Sequence, residues 1–397
     1  MTDTMPDGAA DGTPDDLRTM TAAALDAAWV DLGYTAPNTD VYPWLWLWDS
    51  CFHALVWAEL DRPERAVAEM TSVFAAADPS GFVPHMGYQL DPRAHAELWG
   101  RRGSSSITQP PMYGHALAEL DRRGVDVADA VWESAAAGLR FLLRRRARTA
   151  GGLVAVVHPW ETGCDDSPRW DDLCPGGFSL QRWRRFKNEA VAQVVRGPSG
   201  EPLAGPAFPV GSVGFNALVA WNALELASVT DDSTLVAEAS DLIVALEARW
   251  DDDAATWVDD GPTAAGSGRV RTADALLPVL VATAPDVRAA VTGQLLDPGA
   301  HGAPYGPRGV HRAEPSYDPA SYWRGPVWPQ VAYLLWVASS RAPDGDPLAS
   351  AASTLGAATV AGATASGLAE YWDPDTGVGG GAVPQSWTGL ALLMSPG

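Results

Sequence analysis

The stretch that decides the fold lies in the middle of the chain and reads GFNALVAWNALELAS (Gly214–Ser228), then STLVAEASDLIVALEARW (Ser233–Trp250). In both segments apolar residues recur at spacings of three and four, which is typical of helices with one buried face. The linker 229–232 is so short that the two helices are expected to pack as an antiparallel pair.

The same pattern recurs along the chain and predicts about twelve helices in adjacent antiparallel pairs, with almost no alternating strand pattern. The other candidates are 17–32, 51–60, 63–77, 110–123, 127–148, 272–282, 284–296, 325–340, 347–365 and 384–394. Three long connections, 78–108, 149–212 and 297–324, and a Gly-rich one at 366–383 separate them. Long loops are rare in compact domains unless they serve a function. We therefore expect an all-α fold, an (α/α)6 barrel of six hairpins whose long loops form the active-site mouth.

Composition restricts the partners and the domain organisation. The chain has 397 residues, with 49 Asp+Glu against 27 Lys+Arg and a net charge of −22. This charge repels nucleic acids and anionic membranes and favours a small-molecule substrate. Residues 1–12 are acidic and rich in Gly and Asp, and they are expected to form a disordered tail before a single catalytic domain at 13–397.

The expected compartment is the cytoplasm. Three cysteines make neither a zinc spacing nor a disulfide framework. The N-terminal stretch lacks the features of a signal peptide, and no run of about 18 apolar residues predicts a membrane span. The sequence does not predict the oligomeric state. The 18 tryptophans are compatible with a sugar site, because sugar C–H faces stack on aromatic rings.

The segment DVYPWLWLWDSCFH (Asp40–His53) carries alternating aromatic residues. If it is extended, Tyr42, Trp44, Trp46 and Trp48 lie on one face. Asp49 then either caps the helix that follows or forms hydrogen bonds with sugar hydroxyls at the floor of a cavity.

The segment HPWETGCDDSPRWDD (His158–Asp172) carries five carboxylates within twelve residues. Crowded carboxylates raise one another's pKa, which a general acid near neutral pH requires. The alternative is a solvated acidic loop.

Two later segments combine aromatic and charged residues. YDPASYWRGPVWPQ (Tyr317–Gln330) is compatible with a stacked sugar platform, or with a helix-entry turn that holds Arg324 in a salt bridge. LAEYWDPDTG (Leu368–Gly377) places Glu370 among aromatic residues. The glycines that follow permit close backbone approach or a mobile lid.

In this order, the motifs WDS, QPP, ETGxDxSPRW, YWRGPVWP and EYxxPxTG resemble glycoside hydrolase family 63, in particular its small bacterial mannosylglycerate and glucosylglycerate hydrolases. The resemblance spans roughly residues 40–390. It implies an (α/α)6 barrel that cleaves α-linked glycosides with inversion. Trehalases share WDS and QPP but carry Arg where this chain has Ile107, which disfavours trehalose as the substrate.

Carried over by motif, the resemblance implies Asp165 as the general acid and Glu370 as the general base. Together with the aromatic segments, it predicts substrate contacts from Tyr42, Trp46, Trp48, Asp49, Gln109, Trp160, Tyr322, Trp323, Arg324, Gly325, Trp328, Gln385 and Trp387. Candidate clamps for a glycerate carboxylate are Arg182, Arg184, Arg185 and Arg196. No metal or organic cofactor is expected, because two carboxyl groups suffice for this hydrolysis. The acidic turn 251–253 lacks the spacing of a Ca²⁺-binding EF-hand, so a solvated turn is favoured there.

The sequence thus predicts an inverting, exo-acting hydrolase of a small α-glucoside or α-mannoside such as glucosylglycerate or mannosylglycerate. Inversion requires two carboxyl groups about 6.5–9.5 Å apart. The alternatives are an α-glucosidase for a neutral glycoside or an α-linked oligosaccharide, and a sugar-binding toroid without catalysis. A terpene cyclase is disfavoured, because DDSPR (Asp165–Arg169) lacks the final Asp of a DDxxD motif and contains Pro168.

Overall fold

The structure, a computed structural model, describes residues 14–395, so the expected tail at 1–12 lies outside the described part. The α-helices are α1 (Pro14–Ala28), α2 (Leu47–Glu59), α3 (Pro63–Val73), α4 (Ala96–Trp99), α5 (Tyr113–Arg122), α6 (Asp129–Arg145), α7 (Leu180–Ala192), α8 (Val213–Thr230), α9 (Ser233–Glu247), α10 (Pro285–Leu296), α11 (Pro329–Ser340) and α12 (Ala352–Ala365). The 3₁₀ helices are η1 (Pro159–Thr162), η2 (Pro168–Leu173), η3 (Ser267–Arg269), η4 (Ala273–Leu280), η5 (Pro347–Ala351) and η6 (Ser386–Met394). The assignment of 13–397 to a single domain stays a prediction.

Six helices form a closed inner ring. In cyclic order α2, α5, α8, η4, α11 and η6 each contact the next, and η6 returns to α2. The outer helices α1, α3, α6, α9, α10 and α12 pack around this ring. The difference in position follows from the sequence: α2 buries eleven of its 13 residues, whereas α3 buries a single face. This arrangement confirms the predicted (α/α)6 barrel.

The connections differ in length between the two ends of the barrel. Those from inner to outer helices are short: 60–62, 123–128, 231–232, 281–284 and 341–346. Those from outer to inner helices are longer: 29–46, 74–112, 146–212, 248–272, 297–328 and 366–385. Helices joined by short turns are antiparallel, so the inner helices all run in one direction. Their N-terminal ends and the long loops therefore lie at the same mouth, as predicted.

The long loops also contain the strands, which pair as five antiparallel two-stranded ribbons. The pairs are β1 (Trp29–Val30) with β2 (Tyr34–Thr35), β3 (Leu45–Trp46) with β4 (Met86–Gly87), β5 (Val195–Arg196) with β6 (Pro202–Ala204), β7 (Trp250–Asp251) with β8 (Thr256–Trp257), and β9 (Tyr371–Trp372) with β10 (Gly379–Gly380). The ribbon β3–β4 joins two of the loops at the mouth.

Three local expectations were wrong. The connection 149–212 contains helix α7, whose start is capped by Ser179 and whose polar composition hides a buried stripe that includes Trp183. The helices predicted at 272–282 and 384–394 are the 3₁₀ helices η4 and η6; Pro278 inside η4 has no N–H to donate. The extended segment ends early, because α2 begins at Leu47. Trp48 therefore lies on the helix, and Trp46, not Asp49, occupies the N-cap position.

The segment Pro347–Ala365, formed by η5 and α12, is long enough to cross a membrane, with a mean hydropathy of 1.2. The sequence analysis expected no such span. Within the barrel, α12 packs against both α11 and η6. Its apolar composition therefore matches its place in the helical wall.

A buried ion-pair cluster ties the mouth to the inner ring. Arg169, in η2, is fully buried and pairs with Asp259 at 2.9 Å and with Asp274 in η4. Asp259 also accepts a hydrogen bond from the amide of Val213, the first residue of α8. One guanidinium thus holds a loop against two inner helices.

Replacing this guanidinium should destabilise the protein strongly. Arg169→Met leaves two carboxylates without their buried cation, and we expect the free energy of unfolding to fall by about 3–5 kcal/mol. Arg18→Ala is the control, since it breaks an exposed ion pair with Asp61 and should cost less than about 1 kcal/mol. Urea unfolding followed by tryptophan fluorescence measures both. Equal losses in the two variants would contradict the assigned role of Arg169.

Candidate active site

A cavity of about 100 Å³, the central pocket, opens at the mouth of the barrel. It is lined by Pro37, Tyr42, Trp46, Trp48, Asp49, Gln109, Gly163, Asp165, Tyr322, Glu370, Gln385 and Trp387. Ten of these are residues that the sequence analysis singled out; Pro37 and Gly163 were missed. They meet here because each lies in a long loop or at the start of an inner helix. Their roles in binding and catalysis stay predictions at this point.

The Glu370 carboxylate accepts hydrogen bonds from three donors, one of which, the Tyr42 hydroxyl, also lies 3.4 Å from Oε2. Its Oε1 accepts from the hydroxyls of Tyr322 at 3.0 Å and Tyr42 at 3.2 Å, and its Oε2 accepts from the amide of Ala382 at 3.0 Å. A Cβ at Gly381 would collide with the carboxylate, so this approach requires glycine. Burial raises the pKa of Glu370, and the three donors oppose that rise because they stabilise the ionised form.

Asp165 lies in the same pocket in a different environment. Its backbone oxygen accepts a hydrogen bond from Trp183 Nε1 at 2.9 Å, which ties its loop to α7. Burial raises the pKa of Asp165 to about 7; Lys187 lowers it, while the charges of Asp166 and Glu370 raise it further. Asp165 therefore carries a proton in a substantial fraction of molecules near neutral pH.

The other four carboxylates of the segment 158–172 have partners elsewhere in the fold. The pairs are Glu161 with Arg146, Asp166 with Lys187, Asp171 with Arg324, and Asp172 with the amide of Ser267. Glu161 is fully buried, and its two oxygens bind the guanidinium of Arg146 at 3.0 and 2.6 Å. Glu161 therefore has a structural role. Of the carboxylates in this segment, Asp166 is the one whose charge raises the pKa of Asp165.

Several polar atoms of the central pocket lack a partner within the described residues. Trp46 Nε1, Trp48 Nε1 and Gln385 Oε1 are buried without a hydrogen bond. Asp49 is 2% exposed, and burial raises its pKa well above the ordinary value. Buried polar groups are nearly always paired in folded proteins, so these atoms are available to pair with a polar ligand or with water in the pocket.

Four residues that were predicted to contact the sugar lie behind the central pocket: Trp323, Arg324, Gly325 and Trp328. Trp323 stacks on Trp328 with ring centroids 3.7 Å apart. Trp328 in turn meets the edge of Tyr322 at 5.0 Å. Arg324 binds both oxygens of Asp171, at 2.9 and 2.6 Å. This is the salt bridge that the sequence offered as the alternative to a sugar contact. The segment thus supports Tyr322, and the prediction of direct contact is corrected.

A second cavity of about 350 Å³, the outer pocket, adjoins the first. It shares Tyr42, Trp46, Gln109 and Asp165 with the central pocket. Its other lining residues are Val41, Trp44, His85, Met86, Tyr88, His95, Leu98, Trp99 and Trp160. The structure therefore moves Trp160 from the predicted sugar pocket to the outer one. The remaining residues were mostly missed, although the aromatic and histidine residues between 85 and 99 were a signal for a site.

The predicted arginine clamp is absent from the lining of both pockets. Neither is lined by Arg182, Arg184, Arg185 or Arg196. Arg182 donates to the backbone oxygen of Gly177 and Arg196 to that of Ser106. Arg184 and Arg185 are exposed on α7.

Known proteins share this architecture. Residues 42–388 match the family described as "Mannosylglycerate hydrolase MGH1-like glycoside hydrolase domain". A mannosylglycerate hydrolase of Thermus thermophilus is 29% identical over 91% of this chain and 96% of its own. A glucosylglycerate hydrolase of Mycolicibacterium hassiacum is 28% identical over 91% of this chain and 94% of its own. The crystal structure of a family 63 mannosylglycerate hydrolase from Thermus thermophilus, in complex with Tris and D-glycerate, superposes with a TM-score of 0.80 at 27% identity and covers 95% of this chain and 99% of its own.

The neighbours of Asp165 should tune its pKa in opposite directions. Lys187→Met removes a cation and is expected to raise the pKa of Asp165 above about 7, whereas Asp166→Asn removes a like charge and is expected to lower it. Carbon-13 NMR titration of the side-chain carboxyls measures the shift, with Asp165→Asn to assign the signal. Asp172→Asn is the control, since its carboxylate lies outside both pockets. Shifts of the same sign in the first two variants would contradict this electrostatic assignment.

Proposed function

The chain belongs to the MGH1-like branch of glycoside hydrolase family 63 and is a glycoside hydrolase, and we propose that it cleaves small α-glucosides or α-mannosides, the class of glucosylglycerate and mannosylglycerate, with inversion. The names of its relatives support this class of substrate. The small volume of the central pocket supports exo action, in which a single terminal sugar is enclosed.

The observation that carries the proposal is that Asp165 and Glu370 line one pocket but have different hydrogen-bond partners and neighbouring charges. Asp165 has its pKa raised to about 7, which suits a general acid. Glu370 accepts hydrogen bonds from three donors, which suits a carboxylate that must stay ionised. The pKa of both groups is raised by burial, but only Glu370 has three donors that oppose the rise; one protonated and one ionised carboxyl group are what acid–base hydrolysis of a glycoside requires.

In the proposed reaction, Asp165 gives its proton to the glycosidic oxygen as the bond from that oxygen to the anomeric carbon breaks. Glu370 takes a proton from a water molecule, whose oxygen bonds to the opposite face of the same carbon. A carboxylate has about four lone-pair positions. The three donors to Glu370 leave part of this capacity for the water. The two carboxyl groups supply both proton transfers, so the scheme requires no cofactor.

The unpartnered polar atoms of the pocket are proposed to bind the sugar. The indole N–H groups of Trp46 and Trp48 are donors, and Gln385 Oε1 is an acceptor. Asp49 lies beside them at the start of α2, where it faces the same ligand. A neutral sugar suits a protein of net charge −22, because the negative potential of the protein does not repel an uncharged ligand.

We also propose that the protein works in the cytoplasm. Cys51, Cys164 and Cys174 are free and buried, as is usual for proteins of reducing compartments.

Replacement of either carboxyl group should abolish most hydrolysis. Asp165→Asn and Glu370→Gln are each expected to lower kcat by about 10²–10⁴, the usual contribution of general acid–base catalysis. Asp172→Asn, in the same loop but outside the pocket, should keep nearly the wild-type rate. Circular dichroism verifies that all three variants fold. A near-normal kcat in either of the first two would show that the role of that residue is misassigned.

The stereochemical outcome tests the proposed function itself. The enzyme is mixed with glucosylglycerate, mannosylglycerate, glucosylglycerol and α-linked glucose disaccharides, and proton NMR records the first anomer released. Inversion of an α-glycoside predicts the β-sugar before mutarotation. Release of the α-sugar would indicate retention, and no release from any of these glycosides would overturn the proposal.

A further inference from the structure

The outer pocket lies on the side of the leaving group. It contains Asp165 but not Glu370, whereas the central pocket contains both. The general acid protonates the oxygen that leaves with the aglycone, and the general base serves the opposite face of the sugar. The outer pocket is therefore where the aglycone binds, if the roles under the proposed function hold.

We propose, on the basis of that function, that the preferred aglycone is uncharged and about the size of a sugar ring, with an apolar face that stacks on tryptophan, rather than a short carboxylate such as glycerate. A neutral α-linked disaccharide is the substrate class that this chemistry fits. The inference rests on the charge, the lining and the volume of the outer pocket.

The outer pocket offers no fixed positive charge. All Lys and Arg residues of the chain fall between 14 and 395, the part that the structure describes, and none of them lines this pocket. The nearby Lys187, 5.7 Å from the ring of Trp160, is already paired with Asp166. An aglycone carboxylate would therefore enter beside Asp165 without a cation to compensate it.

The two histidines of the pocket do not replace an arginine. His85 is buried and bonded through Nδ1 to the hydroxyl of Ser105, and burial lowers its pKa to about 3. It is therefore neutral at physiological pH. His95 is exposed at the rim, where its ring packs against Tyr88; water screens a charge there.

The walls of the outer pocket are suited to an apolar sugar face. Trp44 meets the ring of Tyr88 at 5.2 Å, and Trp99 meets Trp160 at 6.0 Å, both edge to face. Such rings present rigid surfaces on which the C–H face of a sugar can stack. The pocket volume of about 350 Å³ lies in the range of about 300–1,000 Å³ that is usual for ligand sites. It is larger than a three-carbon acid would fill.

The first test compares aglycones on the same sugar. We measure kcat/KM for glucosylglycerate, for its uncharged analogue glucosylglycerol and for α-linked glucose disaccharides. The best disaccharide is expected to exceed glucosylglycerate by about tenfold or more, since a charge-assisted contact worth about ten- to a hundredfold is missing from the pocket. A preference for glucosylglycerate over both neutral substrates would overturn the inference.

The second test installs the missing cation. Leu98 lines the outer pocket and is 39% exposed, so Leu98→Arg is expected to fold and to raise kcat/KM for glucosylglycerate about tenfold relative to glucosylglycerol. Leu90→Arg is the matched control, since Leu90 is exposed in the same loop but outside both pockets. A wild-type ratio in Leu98→Arg would contradict the inference.

Three further variants examine the walls of the outer pocket and the arginines of α7. Trp44→Ala should lower kcat/KM for the disaccharides about tenfold more than kcat/KM for glucosylglycerol, because the three-carbon aglycone has no ring face to stack on the indole. Arg184→Ala and Arg185→Ala should leave the ratio between charged and neutral substrates unchanged. A selective loss of glucosylglycerate hydrolysis in either arginine variant would show that α7 supplies a cation and would overturn the inference. Failure to hydrolyse every glycoside would instead refute the proposed function.

Discussion

The contact between η6 and α2 closes the inner ring, and the central pocket depends on it. Near this contact a side chain at Gly389 would press on Thr21 and Val56, so the helices approach closely only because the residue is glycine. Trp387 on η6 then meets Trp48 on α2 at 5.9 Å, edge to face. Since these two residues line the pocket from opposite ends of the sequence, the pocket exists only when the ring is closed.

Closure also sets the direction of every inner helix, and direction determines the electrostatics of the mouth. Because short turns join each inner helix to the next outer one, the N-terminal ends of the inner helices converge at the long loops. These ends carry partial positive charge, which favours nearby carboxylates. The convergence brings Asp49, Asp165 and Glu370 into one pocket although they are distant in sequence, and there burial raises the pKa of all three.

Neighbours, rather than burial alone, separate the two candidate catalytic carboxyl groups. Burial raises the pKa of both, but Glu370 receives hydrogen bonds from Tyr42 and Tyr322, while Asp165 lies beside the pair Asp166–Lys187. The aromatic segment around Tyr322 contributes indirectly, since the stacked tryptophans behind it position this hydroxyl. A sequence motif therefore marks residues that touch the site and residues that hold them, without distinguishing the two.

The sequence by itself determined the helices, their pairing, the long loops on one side and the family, because helical periodicity and turn length are local properties and the motifs are contiguous. It also named Asp165 and Glu370 and most of the central pocket. Only the tertiary structure decided that Arg324 and Glu161 serve ion pairs, that α7 forms within a polar loop, and that the loop 78–108 lines an outer pocket. These outcomes depend on which distant charge or ring each side chain meets once the barrel closes, and no local pattern contains that information.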